Sequence, residues 1–159
     1  MTTDKILTDE SLPLQLAHDH KYGTPILLAT GCFDILHRGH VELLEKAKDQ
    51  LKGHTFWIGL NSDGAVRALK GNGRPIHDYH SRATVMAAIQ CVDQVFEIDE
   101  IRVTETILFI RPKAWIKGSD YTLETLDQEE RKAADLVGAT IHFMPLLLGY
   151  STTAILKRL

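Results

Sequence analysis

Two histidines, His37 and His40, flank Arg38 and Gly39 inside the stretch ILLATGCFDILHRGHVELLEKA, which runs from Ile26 to Ala47. Imidazoles offer N–H donors near neutral pH, and an arginine beside them adds positive charge, so this group has the chemistry to hold an anion. Its setting favours the same reading. Ile26-Leu27-Leu28-Ala29 is an apolar run bounded by Pro25 and Gly31, which predicts a short buried strand. Val41, Leu43, Leu44 and Ala47 then recur at helical spacing. The histidines therefore stand where a strand-end loop feeds the start of a helix. Unpaired backbone N–H groups and the positive end of the helix dipole suit a phosphate there. Gly39, without a Cβ, leaves the backbone open to a close approach. One histidine beside a turn would read as a cap or a solvated side chain; the whole group reads as a phosphate-binding turn.

The rest of the chain must build a frame for that turn. Thr55-Phe56-Trp57-Ile58-Gly59-Leu60 is aromatic and β-branched, a second buried strand, and Asn61-Ser62-Asp63 follows as helix cap or ligand contact with equal weight. Strand, helix and strand at this spacing imply a right-handed crossover and a parallel sheet, whose ligands sit beyond the carboxyl ends of the strands. Lys70-Gly71-Asn72-Gly73-Arg74-Pro75 is a glycine-rich loop with two cations, solvated if judged by spacing alone. Beside a phosphate site it becomes a loop that closes over charge. A helix is predicted from Ser81 to Gln90, with Arg82 in its first turn, where a cation opposes the dipole. A third strand over Val92–Phe96, a helix over Val103–Ile110 stopped by Pro112, and a fourth strand at Ala114-Trp115-Ile116 follow. That strand ends in the polar loop Lys117-Gly118-Ser119-Asp120-Tyr121. A helix over Asp127–Val137, an apolar strand and turn over Thr140–Leu148, and a short terminal helix opened by Ser151-Thr152-Thr153 complete the pattern. Those three hydroxyls make a second anion site or ordinary caps. The pattern is α/β, a doubly wound parallel sheet of about five strands in one domain over 25–159. Residues 1–24 form an N-terminal arm for packing or oligomer contact, in which Pro13 interrupts a weak helix.

Composition narrows the function. The chain has 159 residues, 44% hydrophobic and 25% charged, with a formal charge of −3. That charge provides no basic field for a nucleic acid, so nucleic-acid partners are not expected. Cys32 and Cys91 make no disulfide framework or metal pair, and no apolar run reaches membrane length, so a soluble, cytoplasmic protein without membrane contact is expected. Neither a Walker loop nor GxGxxG occurs, which excludes P-loop and dinucleotide-binding readings.

Thr30-Gly31-Cys32-Phe33-Asp34 followed by His37-Arg38-Gly39-His40 resembles the HxGH nucleotidyltransferases, Rossmann-like proteins that transfer a nucleotidyl group to a phosphate. Within them the similarity is greatest to the adenylyltransferases that act on D-glycero-D-manno-heptose 1-phosphate in ADP-heptose synthesis, in the stand-alone form without a fused kinase. Asn61-Ser62-Asp63, Lys70-Gly71, Arg74-Pro75, Arg82, Lys117 to Tyr121 and Ser151-Thr152-Thr153 follow in the order that group shows. Ser119 stands where the group usually has glycine. Glycerol-3-phosphate cytidylyltransferases are similar but carry an Arg-Thr pair where this chain has Leu146 and Leu147.

The resemblance implies ATP and a sugar 1-phosphate as substrates, with Mg²⁺ on the phosphates and no identified protein ligands, although Asp34 or Asp63 could reach it. It implies His37, His40, Lys70 and Arg74 as catalytic residues. Thr30, Gly31, Cys32, Phe33, Gly39, His40, Lys117, Gly118, Asp120, Tyr121, Ser151, Thr152 and Thr153 would surround the nucleotide. Asp34, Asn61, Asp63 and Arg82 would serve the acceptor. A homodimer is the default assembly.

Overall fold

A computed structural model describes residues 1–158. Its centre is a five-stranded parallel sheet in the order β3-β2-β1-β4-β5, built from β1 (Ile26–Gly31), β2 (Thr55–Asn61), β3 (Gln94–Ile98), β4 (Ala114–Gly118) and β5 (Thr140–Met144). The strand order reverses direction between β1 and β4, which pair in parallel through Leu27–Ala114, Leu28–Trp115 and Ala29–Ile116. Such a reversal opens a crevice at the carboxyl ends of the two strands, where ligands bind in sheets of this kind.

Period-two alternation divides the strand side chains between two cores. Leu27 and Ala29 of β1, with Phe56, Ile58 and Leu60 of β2, face one side. There they meet Leu43, Leu44 and Ala47 of α2 (Arg38–Gln50) and Ala83, Met86 and Ala87 of α4 (Tyr79–Ala87). Ile26, Leu28, Trp57 and Trp115 face the other side. Their partners are Leu16 of α1 (Ser11–Lys21), Ile107 and Ile110 of α5 (Thr104–Ile110), and Ala133 and Ala134 of α6 (Gln128–Val137). With helices on both faces the sheet is doubly wound, as the pattern predicts. The two short helices α3 (Asp63–Lys70) and α7 (Thr152–Leu156) lie at the rim.

Three local expectations change. Pro13 does not interrupt the arm: α1 runs unbroken from Ser11 to Lys21, because Pro13 falls in the first turn, where its missing N–H has no helical partner to lose. The helix predicted over Ser81–Gln90 begins earlier, at Tyr79, because Asp78 caps it by accepting the Ser81 N–H at 2.7 Å. The third strand starts at Gln94 rather than Val92, because Ile89 to Asp93 is spent on a turn in which Val92 N–H donates to Ile89 C=O.

The arm packs against its own sheet. Ile6 pairs with Val95 at the β3 edge, Leu7 N–H donates to Val95 C=O at 2.8 Å, and Lys5 Nζ donates to Val92 C=O. In α1, the buried carboxylate of Asp19 accepts the Trp57 indole N–H at 3.2 Å and the Gln15 amide at 2.9 Å. Among the described residues no helix is long and apolar enough to cross a membrane.

Candidate active site

The carboxyl end of β1 leads into the turn that carries the histidines. His37 is the N-cap of α2, with φ −143° and ψ 169°, and no side chain caps this helix. His40 and Val41 N–H both fold back to His37 C=O, so the amides of Arg38 and Gly39 remain as the free donors of the first turn. An uncapped helix start of thirteen residues at the switch point is an anion seat.

The two imidazoles stack, with ring centroids 3.8 Å apart and planes 19° from parallel. Phe33, held at φ +44°, sets its ring edge against His40 at 5.1 Å. The Nδ1 atoms of both histidines are buried without a hydrogen-bond partner. Burial pushes the His40 pKa down to about 4, with the neighbouring His37 adding to the effect, and burial also lowers His37. Both rings are therefore neutral at pH 7. A Cβ on Gly39 would lie 3.1 Å from the His37 ring and 3.2 Å from Tyr150 Cβ. Glycine here makes room for the histidine stack and for Tyr150, a reason the sequence reading did not include. Gly31 likewise faces the Phe33 ring, at 3.1 Å from a built Cβ.

Residues expected to serve the acceptor have protein partners. Asp34 is buried: its carboxylate accepts the N–H groups of Ile76 and His77 and pairs with the Arg74 guanidinium at 2.5 Å. Burial raises the Asp34 pKa, but the two backbone donors and Arg74 outweigh it, so the net shift is downward. Arg74, predicted to stand over phosphates, is thus engaged by Asp34. Arg82 is also buried; it donates to His77 C=O at 2.9 Å, Cys32 C=O at 2.8 Å and Asp63 Oδ1 at 2.7 Å. Asn61 accepts from the Cys32 thiol at 3.7 Å and donates to Glu100 C=O, and Ser62 caps α3 through the Ala65 N–H. Lys70 ends α3 exposed to solvent, with Gly71 and Gly73 beyond it at φ +91° and +88°.

Across the switch point, Lys117 lies between two aromatic rings, 4.9 Å from the Trp115 centroid and 4.2 Å from that of Tyr121. Burial lowers its pKa, and the carboxylates of Glu130 and Asp120 oppose that shift. Trp115 Nε1 in turn donates to the hydroxyl of Thr30, linking β4 to β1. A Cβ on Gly118 would meet Asp120 Oδ1 at 2.5 Å and Leu146 at 3.1 Å. The Ser119 hydroxyl accepts the Leu146 N–H at 3.2 Å, so it fastens two rim loops together. Ser151 caps α7 by accepting the Ala154 N–H, while Thr152 and Thr153 open the same turn. Tyr150, against Gly39, brings this turn beside α2. Neither Tyr150 nor Trp115 stood out in the sequence; Tyr150 had only its place before Ser-Thr-Thr as a signal, and Trp115 read as strand core.

No group of three or more His, Cys, Asp or Glu side chains converges for a metal among the described residues. Asp34 and Asp63, the two carboxylates near the turn, are held by Arg74 and Arg82, so the donor set does not fit a protein-held Mg²⁺.

A family model described as cytidylyltransferase-like matches residues 28–158. "Bifunctional protein HldE" of Syntrophotalea carbinolica is 38% identical over 155 residues, covering 98% of this chain and 31% of that protein. The protein of the same name from Mesorhizobium japonicum is 39% identical over 159 residues, again with 98% and 31% coverage. The chain thus spans about a third of the length of these curated relatives. Among solved structures, a lipopolysaccharide core biosynthesis protein from Thermoplasma volcanium superposes with a TM-score of 0.61 at 28% identity, covering 79% of this chain and 98% of that one. A macrolide-efflux protein from Streptococcus pneumoniae, 17% identical, shares the fold with a TM-score of 0.62 over 84% of this chain and 50% of its own.

Proposed function

Since the chain belongs to the cytidylyltransferase-like family, we propose that it transfers AMP from ATP to a sugar 1-phosphate, D-glycero-D-manno-heptose 1-phosphate, giving ADP-heptose and pyrophosphate. The observation that carries the reading is the uncapped start of α2 with its stacked neutral histidines at the sheet's switch point. An oxygen of the acceptor phosphate attacks the α-phosphorus in line. The bond from that phosphorus to the α–β bridging oxygen breaks, and pyrophosphate leaves with the electron pair. No covalent enzyme intermediate is required, because the acceptor is already a nucleophile.

Catalysis then rests on position and on charge stabilisation. The backbone N–H groups of Arg38 and Gly39 and the imidazole N–H groups of His37 and His40 would donate to the α- and β-phosphate oxygens. Lys70 would approach from its glycine-flanked loop. Mg²⁺ would arrive with the nucleotide as part of the substrate rather than in a protein-built site. The adenine would lie along Lys117–Tyr121 and the Ser151–Thr153 turn. The apolar Leu146 beside Gly118 offers no charged partner to a pyrimidine carbonyl, which favours ATP. Homodimeric assembly is part of the same proposal, tested by light scattering.

The similarity to lipopolysaccharide core biosynthesis and HldE proteins supports a heptose acceptor, and the family description favours CTP with glycerol 3-phosphate as the second reading. Pyrophosphate release measured with ATP or CTP against each acceptor separates them. Release confined to ATP and heptose 1-phosphate is expected. Release with CTP and glycerol 3-phosphate would move the assignment to the second reading. ATP binding without any release would leave a nucleotide-binding module.

A further inference from the structure

We infer that Asp34 and Arg82 are positioning residues, forming a buried clasp that fixes residues 74–78 to the histidine turn and leaves only Lys70 to Gly73 free to move. The inference rests on the proposed nucleotidyl transfer for its kinetic part and on geometry for the rest. Both side chains are 1% exposed. Both are joined to the turn that leads into α2, Asp34 as a member of it and Arg82 through the Cys32 carbonyl.

Each also reaches the same segment from a different side. Asp34 takes the N–H groups of Ile76 and His77 and the guanidinium of Arg74; Arg82 donates to the carbonyl of His77. Arg82 further holds Asp63 at the start of α3, and its guanidinium lies 5.9 Å from the Tyr79 ring centroid. Thus the end of β1, the start of α3 and the stretch before α4 meet at two charged groups.

Between these anchored pieces lie Gly71, Asn72 and Gly73. A Cβ at either glycine would meet nothing within 4 Å, and both have positive φ, so these glycines serve backbone geometry rather than packing. Lys70 therefore swings on a short tether whose far end is fixed relative to the histidines. A guanidinium with a fixed fork can serve three acceptors in three directions, and an ammonium cannot. An arginine buried this way has no surface left for an acceptor molecule, which separates it from a substrate ligand.

The test uses Asp34→Asn and Arg82→Lys in the full chain. Backbone amide exchange at Ile76 and His77 without ligand is expected to speed up about tenfold or more in both variants, since the clasp protects those groups. With ATP and acceptor, kcat for pyrophosphate release is expected to fall about 100-fold while KM for both substrates stays within about threefold, as misplacement of a catalytic group predicts. Unchanged exchange in both variants would overturn the clasp. A raised acceptor KM with normal exchange and kcat would overturn it too, and would make Arg82 an acceptor ligand. If the unmodified protein releases no pyrophosphate with any acceptor, the transfer reading fails, and the exchange result alone decides the clasp.

Discussion

His40 concentrates the chemistry of the site in one titration. Its folded pKa of about 4 lies below the ordinary histidine value near 6.5, so between these limits the unfolded chain binds the extra proton and the folded chain does not. Stability is then fully present above about pH 6.5 and declines as pH falls toward 4, by at most about 3 kcal/mol for this group. A melting series from pH 7 to 4 should show that decline, and His40→Gln should flatten it. A bound triphosphate reverses the preference by placing negative charge on the ring. Nucleotide binding at pH 6 should therefore take up protons, visible as a dependence of the calorimetric heat on the buffer's ionisation enthalpy. Gly39→Ala offers a third check at this scale. Its Cβ must displace the His37 ring and Tyr150, so pyrophosphate release should drop about 10- to 100-fold.

At the level of elements, α2 was readable from its apolar spacing, while its uncapped start matters more than its length. The arm makes the opposite case. Its amphipathic signal is weak, yet α1 closes the sheet face away from α2 and satisfies the buried Trp57 indole through Asp19. Asp19→Ala leaves that N–H without a partner and should lower stability by about 2 kcal/mol, seen as a reduced urea midpoint. Because Asp19 lies on the opposite face from the histidine turn, kcat for pyrophosphate release should not change.

For the whole molecule, the site is divided between two halves of a sheet. The anion seat belongs to β1 and α2, and the aromatic-flanked lysine and Leu146 belong to the β4 and β5 side. A nucleotide laid across both halves would bind only the folded chain. ATP at about one hundred times its dissociation constant should add about 2.7 kcal/mol to stability, a rise in Tm of about 5–10 °C. Lys117→Ala should remove much of that rise without lowering the melting temperature of the free protein by a comparable amount.

The sequence by itself determined the fold class, the order of strands and helices and the anion-binding turn, because local periodicity, glycine, proline and capping residues act over a few neighbours. His37, Gly39 and His40 declared their chemistry in the same way, by spacing. Tertiary structure decided which charges were free. Asp34 and Arg74 are forty residues apart, as are the segments Arg82 ties together, and no local rule pairs them. It decided also that Gly39 is small for the sake of Tyr150 and His37, and that Ser119 bonds a backbone N–H across the rim. Partners of that sort depend on where the parallel crossovers bring distant loops together, which no single stretch of sequence specifies.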